Sequence, residues 1–261
     1  MTRLDKRLGL AALAAAALAA SAPAVQAQEP APAPAKVPDR VRVVVTAAVW
    51  PTGPSYSDTQ TFTEYAEQTT IHTSYDAGSA FGPDLAVQVS VHRGLGVLVG
   101  YSHSSRDVAG TVNVSRPHPL YLNKPRTATA QTSGYKLAEG ALYLDVAYAR
   151  PAGRLEWAVF AGVALFQVEA DLLGKPTYTD VYPYDELTIA STPSMKVKDS
   201  PTGFNIGGRL DYRFGSARRF GAGVQVGYAT ASVKLKGTPD STQATFDAGG
   251  FSVGAGLRVY F

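Results

Sequence analysis

The chain has 261 residues, with 24 Lys and Arg against 21 Asp and Glu, and no cysteine. The net charge of +3 comes from scattered basic residues rather than a stripe, which argues against a nucleic-acid-binding protein. The lack of cysteine excludes a disulfide framework and a lipoprotein anchor. After the N-terminal segment, no stretch approaches the roughly 18 uninterrupted apolar residues of a membrane helix. If the mature chain crosses a membrane, it must do so as a closed β-barrel.

Residues 1–27 have the pattern of a cleavable secretory signal. Three basic residues precede an uncharged apolar run over residues 8–20, and small residues stand at positions 25 and 27. An uncut membrane anchor is the alternative, although this run is shorter than the roughly 20 residues of a span. Residues 28–39 are predicted to form a Pro/Ala-rich periplasmic spacer. The remaining residues, 40–261, are predicted to form a single barrel domain.

Eight segments of that domain alternate between an apolar face and a second face of small or polar residues. They are residues 41–50, 85–92, 95–101, 141–148, 155–166, 204–214, 220–229 and 251–261. The connections alternate between tight turns and long loops, as in membrane barrels. The turns lie at 93–94, 151–153 and 215–217, and the loops at 51–84, 104–138, 171–202 and 236–249. The sequence therefore predicts an all-β fold, a transmembrane antiparallel up-and-down β-barrel of eight strands with long extracellular loops.

Two alternatives to this assignment stand beside it. Residues 61–75 also alternate and could form a ninth crossing, but that crossing would move the 93–94 turn to the outside. We therefore favour an extracellular hairpin arm or a strand extended above the membrane, and we expect residues 112–114 and 127–130 to extend the third and fourth strands. A soluble sandwich or lipocalin-like barrel is the second alternative. It is disfavoured because the second face is rich in Gly, Ala and Ser, and solvent-facing strands avoid Gly.

The last strand carries alternating apolar residues, Leu257 and Val259, and ends in the aromatic Phe261. Together with the strand pattern, it resembles the small outer-membrane β-barrel proteins of Gram-negative bacteria, the broad OmpA-barrel, OmpX and OmpW-like group. The resemblance implies an outer-membrane location reached through the periplasm. It also implies recognition of Leu257, Val259 and Phe261 by the barrel-assembly machinery, and contact with outer-membrane lipid and lipopolysaccharide. It implies no particular activity, and neither a cofactor nor a metal site is predicted.

Charged residues on the predicted inward face form the main candidate site. They are Arg42, Asp145, Glu156, Arg209, Asp211, Arg213 and Arg258. Charges inside a barrel of eight strands must pair, because the interior is packed and only partly wet. We expect an ionic plug, and the alternative is a gate that opens a narrow water path when the partners exchange.

His103 and Ser105 are the one faint catalytic candidate. The pair resembles the His-x-Ser arrangement of lipid A deacylase barrels, and a neighbouring His can take a proton from Ser. However, Arg106 stands where that family has Asn, and no acid is placed to orient the histidine. The sequence therefore predicts a protein that is not an enzyme.

Two long loops differ in charge. Arg116, Lys124 and Arg126 lie in a basic loop and are candidates for binding lipopolysaccharide phosphates. Residues 171–201 are acidic, and the Tyr-rich part at 178–186 is a candidate for binding a divalent cation or a partner. The alternative is that the loops are solvated or pair with each other. We predict a structural or surface-interaction protein first, a narrow porin-like diffusion channel or small-solute transporter second, and a lipid-modifying enzyme third.

Overall fold

The computed structural model describes residues 40–215 and 217–261, so the predicted signal peptide and spacer lie outside the described residues. The described chain folds into thirteen β-strands. They are β1 (Val41–Trp50), β2 (Ser55–Glu64), β3 (Glu67–Ala77), β4 (Ala80–His92), β5 (Leu95–Arg116), β6 (Arg126–Ala152), β7 (Leu155–Leu173), β8 (Thr177–Thr179), β9 (Thr188–Ser191), β10 (Ser194–Asp199), β11 (Thr202–Phe214), β12 (Phe220–Leu235) and β13 (Ala244–Tyr260).

The eight predicted strands are present as β1, β4, β5, β6, β7, β11, β12 and β13. Each pairs antiparallel with the next in this order, and β1 also pairs with β13, so the pairings return to their start. The predicted up-and-down arrangement is confirmed. We call the end with the tight turns and Phe261 the lower end, and the end with the long loops the upper end.

The outward face of these strands is an exposed apolar belt. On β5, for example, Val97 and Val99 are exposed while the intervening Leu98 is 2% exposed. The same alternation runs around the ring, because successive side chains of a strand point to opposite faces. This continuous exposed apolar area is larger than the apolar patches on the surface of most water-soluble proteins.

Residues 61–75 belong to the β2–β3 hairpin, which confirms the arm rather than a ninth crossing. β3 pairs with the upper half of β5, from Thr70–Ser115 to Ala77–Val108. β5 and β6 continue far above the belt, so the predicted extensions at 112–114 and 127–130 are also confirmed. Several strands are longer than predicted, since much of the supposed loop at 104–138 is strand.

The side-chain phase of β6 changes where the belt meets this upper part, from even-numbered inward residues up to Thr132 to odd-numbered ones from Tyr135. Gly134 of β6 has φ +78°, and the pairing of β5 with β6 shifts register at this point. Gly249 and Gly250 of β13 have φ of +92° and +98°. Only Gly adopts such angles without strain. The bulge in β6 keeps one set of side chains inside although the strand continues, whereas β13 keeps its register with β12 through Gly249 and Gly250.

The interior of the upper part is an apolar core. Tyr56 stacks on Tyr75 and on Phe246, with ring centroids 4.8 Å and 4.6 Å apart, and buried aliphatic residues such as Leu137 and Leu172 surround these rings. This core closes the inside of the sheet above the belt.

Among the described residues, no helix is long and apolar enough to cross a membrane.

Candidate functional site

Four arginines and two carboxylates lie together inside the lower half of the barrel. This lower ionic cluster consists of Arg42, Glu156, Arg209, Asp211, Arg213 and Arg258. Each member is at most 9% exposed. The strands place them inside because each lies on the phase opposite to the apolar belt.

Glu156 and Asp211 each bridge two arginines. Glu156 Oε1 lies 3.2 Å from Arg42 Nη1, and its Oε2 accepts a hydrogen bond from Arg213. Asp211 lies 2.8 Å from Arg258 Nε and 3.3 Å from Arg209 Nε. Buried charges of this kind need such partners, since removal from water is costly.

Tyr260 and Gln88 complete the cluster. The Arg213 guanidinium stacks 3.8 Å from the centre of the Tyr260 ring, a cation–π contact. Arg209 donates a hydrogen bond to the Gln88 side chain. Gln88 is fully buried, so this amide is part of the interior rather than of the surface.

A second polar layer lies at mid-height. Asp84 accepts hydrogen bonds from Tyr143 and from Gln225 Nε2, the latter at 3.0 Å. Asp145 was expected to join the arginines, but its partner is Asn205 Nδ2 at 3.1 Å. Asp145 lies higher in the barrel than Glu156 and Asp211. It pairs across to Gly162, whereas Glu156 and Asp211 lie nearer the lower turns. A cavity of about 50 Å³ adjoins Asp84, Tyr143 and Asn205.

A further buried ion pair closes the interior above this layer. Arg106 Nη2 lies 2.5 Å from Glu139 Oε2, and Arg106 also donates to the Thr52 carbonyl at 3.2 Å. The stacked Tyr56, Tyr75 and Phe246 lie higher still. The interior is therefore occupied at each level, and the charged residues of these layers have opposite charges or polar groups as partners.

The upper rim holds an ion-paired cap that joins three connections. Arg116 Nε lies 2.7 Å from Glu64 Oε2, and its Nη1 lies 2.5 Å from Asp180 Oδ2. Arg126 Nη1 lies 2.7 Å from Asp180 Oδ1. These contacts link the β2–β3 hairpin, the β5–β6 loop and the β8–β9 connection. Burial raises the pKa of the nearby Tyr178 to about 12.

The basic and acidic loops pair with each other, which is the alternative stated above. Arg116 and Arg126 are buried, and the exposed Lys124 lies 3.0 Å from Asp185. None of the three predicted phosphate-binding residues is thus a free cation, since each has a carboxylate partner. The recognition of phosphate by these residues stays a prediction that this geometry does not favour.

His103 and Ser105 lie two residues apart on the outward face of β5. Both are exposed, and no hydrogen bond joins their side chains in the described part of the chain. His103 borders a shallow groove of about 240 Å³ with Glu169 and Lys198. The geometry therefore shows two neighbouring polar residues without an assembled nucleophile.

Leu257 and Phe261 point outward from the last strand and are 62% and 67% exposed. Val259 shares this face and pairs with Val43 of β1. The Phe261 N–H donates to the Val41 carbonyl at 2.9 Å, so the end of the chain is bonded to the first strand.

Solved structures of outer-membrane proteins superpose on this chain. Superposition on OprG, an outer membrane protein from Pseudomonas aeruginosa, gives a TM-score of 0.53 over 86% of this chain and 96% of that chain, at 14% identity. This chain has the fold of a small outer-membrane β-barrel. Neisserial surface protein A (9% identity, TM-score 0.42, 84% and 97% coverage) and the outer membrane protease OmpT from Escherichia coli (11%, 0.43, 86% and 98%) also match. No protein-family model matches this sequence, and no curated protein sequence matches it.

Sequence reasoning missed several residues inside this outer-membrane barrel fold, including the buried ion pair of Arg106 and Glu139. Asp84 lies in a segment that was assigned to a loop, although it is in phase with Gln88 on the inward face of β4. Gln88 and Tyr260 were placed inward but were given no role. Each is a polar residue on the strand face opposite to the apolar belt, and this pattern identifies it as inward-facing. The pattern does not reveal which residue of a distant strand is its partner.

Proposed function

We propose that this protein is an integral outer-membrane β-barrel that does not conduct ions and that presents its upper loops as an interaction surface. The observation that carries the proposal is the filled interior. The lower ionic cluster, the Arg106–Glu139 pair and the stacked aromatic rings occupy successive heights. A continuous water path would have to cross all three.

The upper loops support the interaction role. Leu122 and Tyr182 are 72% and 76% exposed, and Leu120 and Val181 lie beside them in sequence and are also exposed. Below them, Arg126 and Asp180 bind the two loops together. Exposed apolar side chains on loops held in place are typical of binding surfaces, because little ordering entropy is lost on association.

Conductance in planar lipid bilayers tests the proposal. The refolded protein should insert and show the heat-dependent gel mobility of a folded barrel, yet give no steps of current above the lipid background. Reproducible single-channel steps from the folded form would contradict it.

A narrow diffusion channel is the second candidate, and the mid-height cavity beside Asp84 favours it. In that case the lower ionic cluster would act as a gate, and Arg209→Ala should produce or enlarge a current. If the cluster is a plug, Arg209→Ala should stay silent, because Glu139, Arg106 and the aromatic rings still close the upper interior.

The route to the membrane belongs to the same proposal. Export through the signal at residues 1–27 and recognition of Leu257, Val259 and Phe261 by the barrel-assembly machinery stay predictions, as does contact with lipopolysaccharide. Deletion of residues 1–27 should leave the protein in the cytoplasm of a Gram-negative host, and cell fractionation measures this.

A further inference from the structure

A surface of hydroxyl and amide side chains with one histidine, free of Asp, Glu, Lys and Arg, covers one outward side of the barrel above the apolar belt. Four strands contribute to it, β2, β3, β5 and β6, and their registers align three complete rows. The rows of this hydroxyl face are Thr61, Thr70, Ser115 and Thr127; Thr59, His72, Asn113 and Thr129; and Ser57, Ser74, Thr111 and Gln131.

The twelve side chains are half-buried or exposed, and they alternate with buried residues such as Ile71 and Val112. None is an Asp, Glu, Lys or Arg. A typical protein surface is roughly 25–35% charged, so about three or four charges would be expected at twelve such positions. Exposed strands also commonly carry Lys to prevent edge pairing. Ordinary solvation therefore does not explain this composition.

Hydrogen bonds within the rows hold the side chains in place. Thr129 Oγ1 donates to Asn113 Oδ1 at 2.8 Å, and Thr111 Oγ1 donates to Gln131 Oε1 at 3.2 Å. Thr59 Oγ1 lies 3.1 Å from His72 Nδ1. Ordered groups of this kind need to lose little entropy when a ligand binds.

The chemistry of the face selects the kind of ligand. A phosphate or sulfate would need cations, which the face lacks. A protein interface would be expected to contain aromatic, Met or Arg side chains at its centre, and these are also missing from the twelve positions. Hydroxyl and amide groups both donate and accept, as sugar hydroxyls do, and the strands repeat them about every 4.8 Å across and 6.8 Å along the sheet. The face matches an uncharged oligosaccharide.

Position identifies the source of that oligosaccharide. Thr111, Asn113 and Ser115 continue the same outward side of β5 that carries Val97 and Tyr101 in the belt. Ten residues separate Tyr101 from Thr111, about 33 Å along the strand, or about 25 Å in height at a usual barrel tilt. The face therefore points sideways, toward molecules that rise from the surrounding outer leaflet.

We propose that the hydroxyl face binds the uncharged sugar chain of the surrounding outer-membrane glycolipid. This inference rests on the proposed membrane location, and it assigns sugar contact to the side wall rather than to Arg116, Lys124 and Arg126. The binding is lateral, so the upper loops stay available for other partners.

The test uses the full mature protein in phosphatidylcholine nanodiscs, which contain no glycolipid. The probe is the polysaccharide that mild acid releases from a smooth lipopolysaccharide with a neutral O-chain, after chemical removal of the core phosphates. Size-matched dextran and a heparin-derived hexasaccharide are the comparators. Biolayer interferometry should show saturable binding of the released polysaccharide, weaker binding of dextran and none of the sulfated sugar.

Asn113→Val removes hydrogen-bonding groups from the centre of the face while keeping a good strand former. It should weaken binding at least tenfold. Ser105→Val is the matched control on the same side of β5 below the face, and it should change the affinity less than twofold.

Lack of saturable binding, equal binding of dextran, a preference for the sulfated sugar, or an equal loss in both variants would overturn the inference. Heat-dependent gel mobility and bilayer conductance are recorded on the same samples. If the protein is folded and silent but binds no sugar, the inference alone fails and the proposed function stands.

Discussion

Glu156 is the residue on which half of the lower ionic cluster depends. It is fully buried and forms ion pairs with both Arg42 and Arg213. Removal of one partner of a buried pair typically costs about 3–5 kcal/mol, because the other charge stays buried without compensation. We expect Glu156→Gln to lower the free energy of unfolding by about 3 kcal/mol. Urea titration in phospholipid vesicles, followed by heat-dependent gel mobility, measures the change.

Glu169→Gln is the control for that measurement. Glu169 lies near the upper end and also pairs with two cations, Lys196 and Lys198, both at 2.7 Å. These lysines are exposed, and exposed pairs contribute little to stability. Glu169→Gln should leave the urea midpoint unchanged. Equal effects of the two substitutions on the free energy of unfolding would show that the stability contributed by these ion pairs does not depend on their burial.

Ala66 occupies a strained position at the tip of the β2–β3 hairpin. Tyr65 and Ala66 have φ of +50° and +65°, the left-handed angles of a two-residue hairpin turn. A residue with a Cβ is destabilised at such angles by roughly 1–2 kcal/mol. Gly avoids this strain, but the greater conformational entropy of Gly in the unfolded chain offsets part of the gain. Ala66→Gly should therefore stabilise the hairpin by about 0.5–1 kcal/mol, measured as slower amide exchange in β2 and β3.

The same change has the opposite sign at a strand residue whose φ is not positive. Ala109 is exposed on β5 opposite Asp76 of the hairpin, and its φ is not positive. Ala109→Gly should speed exchange at the β3–β5 pairing, since Gly weakens a strand by about 0.5–1 kcal/mol. Faster amide exchange in both Ala66→Gly and Ala109→Gly would show that the backbone at Ala66 is not strained.

At the scale of elements, the ion-paired cap couples the hairpin and two loops through carboxylates that titrate. Burial opposes ionisation of Asp180 and Glu64, but hydrogen bonds from Arg126 and Arg116 to Asp180, and from Arg116 and Thr69 to Glu64, outweigh it. They hold the pKa of both carboxyls below the usual range. A carboxyl whose folded pKa is lowered contributes stability above its unfolded pKa of about 4, and this is lost as pH falls through the folded pKa.

We therefore expect the cap to stay ordered at pH 5 and to loosen below about pH 4. Amide exchange of residues 117–125, corrected for the intrinsic effect of pH, should rise over this range. Exchange in the paired segments of β12 and β13 is the internal control and should stay slow. Exchange of the loop that is constant from pH 6 to pH 2.5 would show that these carboxylates do not hold the cap.

The elements also show what the sequence could and could not predict. The eight crossings followed from alternation, because a side-chain period of two and an apolar face are local properties. The bulge at Gly134 was not predicted, since a change of phase depends on the neighbouring strand. The partner of Asp145 was missed for the same reason, because strand tilt and register decide which inward residues share a height.

At the scale of the whole molecule, the interior charges balance only when two layers are taken together. The lower ionic cluster has four arginines but two carboxylates, Glu156 and Asp211. Asp84 and Asp145 supply the two remaining formal negative charges at mid-height, where their side chains are hydrogen-bonded to Gln225 and Asn205. An interior that is neutral as a unit can be buried without a large Coulomb penalty. The polar layers are thus one structure that spans the lower barrel.

The apolar belt relates this interior to its surroundings and can be tested directly. Val97 is 42% exposed in the middle of the belt on β5, between Val89 and Val146. If lipid covers the belt, Val97→Arg should lower the free energy of unfolding in vesicles by about 2–4 kcal/mol, because a charge near the bilayer centre is costly. Thr111→Arg, on the same side of β5 above the belt, should cost no more than about 0.5 kcal/mol. Equal small costs at both positions would mean that water surrounds the belt.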